Sequence, residues 1–254
     1  MSKPILLFLF CAILLVIGII IIQPNFVINV EAQDAGQKHF SHLREGMVKN
    51  QISHPPDYRE PVRDKKVLEA MRTVPRHLFV KPQDTSRAYW DCPIPIGYGQ
   101  TISQPYIVAL MTELLDVKPE HKVLEVGTGS GYQAAILSCI AKDVYSVEIV
   151  RALGEQAALR FKRLKYGNVR TKVDDGYYGW KENAPFDRII VTCAATIVPP
   201  PLLKQLKPGG KICIPVGGQY AVQFLTIINK SMAGTISMQK MIPVRFVPLT
   251  RTIR

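Results

Sequence analysis

Hydrophobic and polar positions follow two regimes along this chain. From Lys122 onward, short apolar runs recur at 123–126, 144–147, 169–173, 188–192 and 211–216. Between them lie stretches with helical spacing, at 132–141 and 152–166, with a third near 201–206. Strand, helix, strand at this interval predicts βαβ units around a parallel sheet. The strands are apolar at nearly every position, which predicts cover on both faces. After Gly217 the pattern turns antiparallel in style, with candidate strands at 223–229, 236–241 and 244–249. The expected fold is α/β: doubly wound, mostly parallel, with an antiparallel C-terminal part.

The first half is less regular. Residues 33–60 are polar and carry the breaker His54-Pro55-Pro56, so they are expected to be a linker. Residues 64–71 have helical composition and stop near Pro75. Residues 92–99 are punctuated by Pro and Gly and predict loop or short extended pieces. Pro105, preceded by Ser103 and Gln104, marks a helix start, and Ile107, Val108, Leu110, Met111, Leu114 and Leu115 give that helix one broad apolar face. At the extreme N-terminus, residues 5–22 form an uncharged run. As a helix it would span roughly 27 Å, close to a bilayer core. Lys3 before the run, and Val30-Glu31-Ala32 after it, also fit a secretory signal, and a start at Met47 is a third reading. The expected organisation is a leader at 1–32, a linker at 33–60 and a catalytic domain at 61–254.

Composition narrows the classes. The chain has 254 residues, 47% hydrophobic and 20% charged, too apolar for disorder. Its net charge is +12, with 32 Lys and Arg against 20 Asp and Glu. The cations are scattered. The densest group, Arg160, Lys162, Arg163 and Lys165, is expected to be a solvated helix face, without the interleaved aromatics of a nucleic-acid stripe. Cys11, Cys92, Cys139, Cys193 and Cys213 form no C-x-x-C pair, so neither a zinc site nor a disulfide framework is expected. Cys139, Cys193 and Cys213 sit in apolar runs and are expected to be buried.

The most informative segment follows the first predicted strand: Glu125, Val126, Gly127, Thr128, Gly129, Ser130, Gly131. Glycines there let the backbone turn sharply and approach a ligand closely. The spacing is G-x-G-x-G rather than the dinucleotide G-x-G-x-x-G, which suits a nucleoside without a pyrophosphate. Glu148 ends the second strand, 17 residues after Gly131, where an acid accepts hydrogen bonds from ribose hydroxyls. Asp175 and Gly176 follow the third strand, where a carboxylate can accept from an adenine amino group.

With these residues in place, the chain resembles class I S-adenosylmethionine-dependent methyltransferases. More narrowly, it resembles the protein-L-isoaspartate O-methyltransferases. The narrower likeness is carried by 76–80 (RHLFV), 99–106 (GQTISQPY), 123–133, 175–180, 184–187, 206–210, 214–217 and 244–249 (VRFVPL). The leader is outside the family pattern, and Cys193 stands where the family usually has a small residue. The resemblance implies a Rossmann-like methyltransferase fold and S-adenosyl-L-methionine as cofactor. It implies methylation of the free α-carboxylate of isoaspartyl residues in damaged proteins, after which the ester closes to a succinimide. Glu125, Gly127, Thr128, Gly129, Ser130, Gly131, Glu148, Asp175 and Gly176 are the implied cofactor residues. Ser103 takes the position of the family's active-site serine, orienting the substrate carboxylate. Thr101, Gln104, Val247, Pro248 and Leu249 are expected to line the same pocket.

The carboxylate acceptor is already ionised at pH 7, so no strong general base is required. Positioning and desolvation remain. No metal and no nucleic acid are expected. The protein is expected to be a monomer, cytoplasmic by family resemblance, with residues 5–22 as an anchor or export signal in the other reading. Two alternatives stand beside the main one: a methyltransferase of RNA or a small molecule, and a tethered binding module without turnover.

Overall fold

The structure, a computed structural model, describes residues 24–218 and 220–251. The apolar run at 5–22 lies outside the described residues. Among the described residues, no helix is long and apolar enough to cross a membrane. The chain divides into two compact units, Met1–Lys38 and His39–Arg254. The glycine loop, Glu148, Asp175 and Ser103 all lie in the second.

Helix α1 is Pro24–Met47, followed by one π-helical turn, Val48–Ser53. The stretch 33–60, expected as a linker, is therefore helical over most of its length. Met47, Val48 and Ile52 are each at most 1% exposed and belong to the main core. A few apolar side chains in a polar stretch show no period, so their burial is invisible without the tertiary contacts. Helix α2, Lys65–Thr73, starts where the Asp64 carboxylate accepts from the backbone N–H groups of Lys66 and Val67. It leads into a 3-10 turn at Arg76–Phe79.

A two-stranded hairpin, β1 (Ile94–Gly97) and β2 (Gln100–Ile102), stands apart from the main sheet. Helix α3, Pro105–Leu115, follows with Pro105 in its first turn, as the sequence predicts. Its N-terminus is capped from a distance. Asp91 accepts from the Tyr106 N–H at 3.2 Å and from the Gln104 amide at 2.9 Å.

The main sheet comprises β3 (Lys122–Val126), β4 (Asp143–Glu148), β5 (Val169–Val173), β6 (Phe186–Val191), β7 (Leu206–Val216), β8 (Gln223–Lys230) and β9 (Ile236–Val244). Helices α4 (Tyr132–Ser138), α5 (Arg151–Leu164) and α6 (Pro200–Gln205) connect β3 to β4, β4 to β5 and β6 to β7, and two 3-10 turns connect β5 to β6. The order is β5-β4-β3-β6-β7-β8-β9, parallel from β5 to β7 and antiparallel beyond. Alternate residues of one strand enter opposite cores. Val123 packs with the core under α2 to α5, and Leu124 with the core that holds Leu202 of α6. This two-sided burial is why the strands read as continuous apolar runs.

One expectation changes at the C-terminus and one at a cysteine. Residues 244–249 do not form a further strand. The sheet ends at β9, and the chain crosses back to the end of β6. There the Ala194 N–H donates to the Val247 carbonyl and the Leu249 N–H donates to the Ala194 carbonyl, both at 2.8 Å. The Gln223 side chain holds Phe246 through both of its backbone groups. Cys193 and Cys213 are buried as expected, but Cys139 is exposed, because α4 ends at Ser138 and leaves it on the outer side of the turn.

Because Ile52 is fully buried within the former linker stretch, Ile52→Ala is expected to cost about 3 kcal/mol of unfolding free energy. Asn50→Ala on the exposed side of the same turn is expected to stay within about 0.5 kcal/mol. Denaturant unfolding of both variants checks this.

Candidate active site at the carboxyl edge of the sheet

After β3 the chain adds β4 and β5 on one side of the sheet, then β6 and β7 on the other. The order reverses between β3 and β6, and in such sheets a ligand crevice opens at that point. The register brings the functional residues to one edge. Val126 pairs with Val147 and Val191, and Glu148 pairs with Val173. Gly127 and Thr192 therefore follow directly on their strands, Glu148 ends β4, and Asp175 lies two residues beyond β5, all at this edge.

The glycine loop is built for close approach. Gly127, Gly129 and Gly131 have φ of +97°, +52° and +87°, which side-chain-bearing residues rarely adopt. The Thr192 hydroxyl lies 2.6 Å from the Gly127 carbonyl. The Gly129 N–H donates to Glu148 Oε2 at 2.7 Å, and the Val150 N–H donates to Glu148 Oε1 at 2.9 Å. Burial raises the Glu148 carboxyl above its ordinary value, and these N–H groups oppose the shift. Each of its oxygens keeps a lone pair free for a ribose hydroxyl.

Glu125 is fully buried. The Ser146 hydroxyl donates to its Oε2, and the Thr128 hydroxyl lies 2.5 Å from the Ser146 oxygen. Its Oε1 has no partner among the described residues. Desolvation pushes its carboxyl up to about 8, with Glu148 adding to the rise. A buried orphan acceptor beside a glycine cradle fits a cationic ligand, whose N–H groups would satisfy it.

Asp175 is 8% exposed and accepts from the Tyr177 N–H at 2.9 Å. Its other oxygen accepts from Arg251 at 2.8 Å, and that guanidinium sits 3.7 Å from the centre of the Tyr177 ring. Gly176 lies beneath, packed so closely on Val126 that a Cβ there would come within 2.5 Å of it.

Ser103 sits on the other side of the loop. A narrow space of about 30 Å³ is lined by Thr101 and Ser103 together with Gly127, Thr128, Gly129, Ser130 and Thr192. From it opens a cavity of about 1130 Å³ between α3 and the C-terminal end of β9, whose lining includes Thr101, Ser103, Gln104, Thr192 and Val247. Pro248 and Leu249 do not line that cavity. They face the crevice that holds Gly127, Glu148, Gly176 and Cys193. Ser103 is not a helix cap, since Gln104 takes that position and Asp91 supplies the bonds.

Several residues of this region escaped the sequence reading. Thr192 borders both cavities, and only its place at a strand end hints at it. Asp91 and Arg251 act from distant or terminal positions. Arg160, expected on a solvated face, is half-buried and donates to the carbonyls of Leu78 and Ser130.

Comparisons with known proteins agree with this geometry. Residues 49–254 match the sequence profile of Protein-L-isoaspartate(D-aspartate) O-methyltransferase. A protein-L-isoaspartate O-methyltransferase of Cupriavidus necator is 58% identical, covering 73% of this chain and 72% of its own length. One of Syntrophobacter fumaroxidans is 59% identical, covering 74% and 76%. Among solved structures, a Plasmodium falciparum protein described as a putative protein-L-isoaspartate O-methyltransferase in complex with S-adenosyl-L-homocysteine superposes with a TM-score of 0.69. It is 27% identical and covers 82% of this chain and 98% of that one. With a profile matched over four-fifths of its length and relatives this similar, the chain belongs to the protein-L-isoaspartate(D-aspartate) O-methyltransferase family.

Proposed function

We propose that this protein transfers a methyl group from S-adenosyl-L-methionine to the free α-carboxylate of L-isoaspartyl residues in damaged proteins. The observation that carries the reading is the narrow space shared by Ser103 and the glycine loop. Its Thr101, Gly127, Gly129 and Thr192 also line the crevice of Glu148, and its Thr101, Ser103 and Thr192 also line a cavity large enough for a polypeptide segment. That cavity, walled by Tyr106, Ile107, Leu110, Met241 and Phe246, exceeds what a small metabolite needs. It favours a protein substrate over the small-molecule alternative.

In this reading Glu148 binds the ribose hydroxyls, and Asp175 the adenine amino group once Arg251 has yielded its oxygen. Glu125 faces the amino-acid end of the cofactor. When bound, the cofactor supplies a sulfonium-activated methyl, its carbon–sulfur bond breaking as a carbon–oxygen bond to the acceptor forms. The chain's own work is positioning. The Ser103 hydroxyl donates to the substrate carboxylate and turns one oxygen toward the glycine loop. Thr101 and Val247 flank that carboxylate, and Gln104, held by Asp91, keeps the turn in place. The acceptor needs no base, because it is ionised at neutral pH. The methyl ester then closes to a succinimide without help, which starts repair toward normal Asp. The reading includes a monomeric enzyme working in the cytosol, where its cofactor is made.

The decisive experiment offers the purified protein a labelled cofactor with an isoaspartyl peptide or its normal Asp twin. Label is expected only in the isoaspartyl peptide, and mild base is expected to release it as a carboxyl methyl ester should. Equal labelling of both peptides, or of neither, overturns the reading.

Ser103→Ala is expected to lower kcat by about 10- to 100-fold, by loosening the near-attack geometry. Cofactor affinity, measured by calorimetry, is expected to stay near wild type.

With a carboxyl at about 8 in the free protein, Glu125 is mostly protonated at pH 7. A cationic ligand group favours its ionised form, so binding S-adenosylhomocysteine at pH 7 is expected to release close to one proton. Affinity should therefore rise from pH 6 to 8 and level off above. Calorimetry in buffers of different ionisation enthalpy reads the release, and Glu125→Gln is expected to abolish both effects.

A further inference from the structure

The turn Arg76–Phe79 lies between the two halves of the site and is fastened to both. On the acceptor side, Arg76 is wholly buried and donates from Nη2 to the Ser103 carbonyl and from Nε to the Ala88 carbonyl, each at 2.8 Å. On the donor side, Arg160 of α5 donates from Nη1 to the Ser130 carbonyl at 2.7 Å and from Nε to the Leu78 carbonyl at 3.0 Å. Aromatic contacts close the ring. The Arg76 guanidinium lies 4.8 Å from the centre of the Tyr132 ring, at the start of the helix after the glycine loop. Phe79 meets that same ring edge-on at 5.5 Å, and the Arg160 guanidinium lies 5.8 Å from the Phe79 ring centre.

We propose that Arg76 and Arg160 are positioning residues that set the distance between Ser103 and the glycine loop, using the turn Arg76–Phe79 as a common reference. This rests on the functional reading above, in which Ser103 orients the acceptor and the loop holds the donor. Both arginines spend their hydrogen bonds on backbone carbonyls rather than on carboxylates. The planar guanidinium suits this, because its fork reaches two carbonyls at fixed relative positions. Among the described residues Arg76 has no ion-pair partner and its Nη1 no hydrogen-bond partner. Burying such a cation is unfavourable by itself, and an apolar side chain would fill the space with less penalty. What the cation adds is geometry. It fixes the carbonyl of the very residue whose hydroxyl faces the substrate. Arg160 does the same for the loop that cradles the donor. Methyl transfer demands collinear approach of oxygen, carbon and sulfur, so a displacement of about 1 Å between the halves can cost on the order of 100-fold in rate.

The test uses Arg160, which is half-buried on a stable helix, so that folding survives its change. For Arg160→Gln, kcat with an isoaspartyl peptide is expected to fall by about 10-fold or more at saturating cofactor and peptide. The peptide KM and the calorimetric Kd for S-adenosylhomocysteine are expected to stay within about 3-fold, since neither ligand is touched. Arg160→Lys, which can still reach one carbonyl, is expected to fall between the two. Arg163→Gln, a neighbouring exposed cation on the same helix, is expected to match wild type. Arg76→Lys is a second probe, with its melting temperature recorded to separate misfolding from misplacement. A kcat for Arg160→Gln equal to wild type overturns the proposal. So does a loss of rate that saturating cofactor restores, which would make Arg160 a determinant of cofactor affinity alone. If the wild-type protein leaves the isoaspartyl peptide unlabelled, the functional reading fails first and this proposal falls with it. A wild-type protein that turns over, beside an unimpaired Arg160→Gln, sinks the positioning role alone.

Discussion

A Cβ atom at Gly127 would lie 2.4 Å from the Thr192 hydroxyl oxygen, closer than any real Cβ contact. That one approach, between the ends of β3 and β6, is the constraint on which the site depends. It occurs where the sheet order reverses, so the backbone must leave β3 abruptly and cannot carry a side chain while doing so. With φ positive at Gly127, Gly129 and Gly131, the loop turns its Gly129 N–H onto Glu148 and presents Thr128 to Ser146. A second close approach ends the loop, since a Cβ at Gly131 would fall 2.6 Å from the Phe161 ring of α5. The loop is therefore clamped at both ends by packing, and its middle is left to meet a ligand.

The electrostatics of the crevice run against those of the whole chain. The protein carries a net charge of +12, yet Glu148 lines the crevice, and Glu125 and Asp175 are buried at the ends of the neighbouring strands. Global charge informs solubility and long-range attraction, whereas ligand choice is set by what stands within a few ångströms. Burial pushes the Glu125 carboxyl up to about 8, which disfavours an uncompensated buried charge in the free protein. On the acceptor side the same economy appears. In the proposed reaction the carboxylate substrate brings its own nucleophilic oxygen, and the protein contributes the Ser103 hydroxyl and a fixed distance.

The N-terminal region, from the π-helical turn to α3, supplies much of that fixed distance. Asp91 caps α3 from outside the helix, Arg76 grips Ser103, and Arg160 reaches from α5 to the same turn. These bonds join segments as far apart as 82 residues in sequence. They turn the Rossmann-like sheet and its preceding helices into one frame around the substrate.

Much of this is legible in the amino-acid sequence. The parallel strands 123–126, 144–147 and 169–173 announce themselves because a strand buried on both faces must be apolar throughout. The glycine loop, Glu148 and Asp175 are legible because strand ends and tight turns leave local marks. The helix start at Pro105 is legible for the same reason. What the sequence could not reveal depends on contacts between distant residues. Ile52 looks like an isolated apolar residue in a polar linker, and only packing makes it core. Arg160 looks like one cation among four, and only the approach of Ser130 and Leu78 gives it carbonyls to bind. Residues 244–249 look like a strand, but the sheet ends at Val244, and the backbone bonds of Val247 and Leu249 go to Ala194. Local pattern determined the elements and the chemistry of the loop, because those follow from each residue and its near neighbours. The tertiary structure alone decided which side chains face one another across the site, because that depends on where separate elements meet.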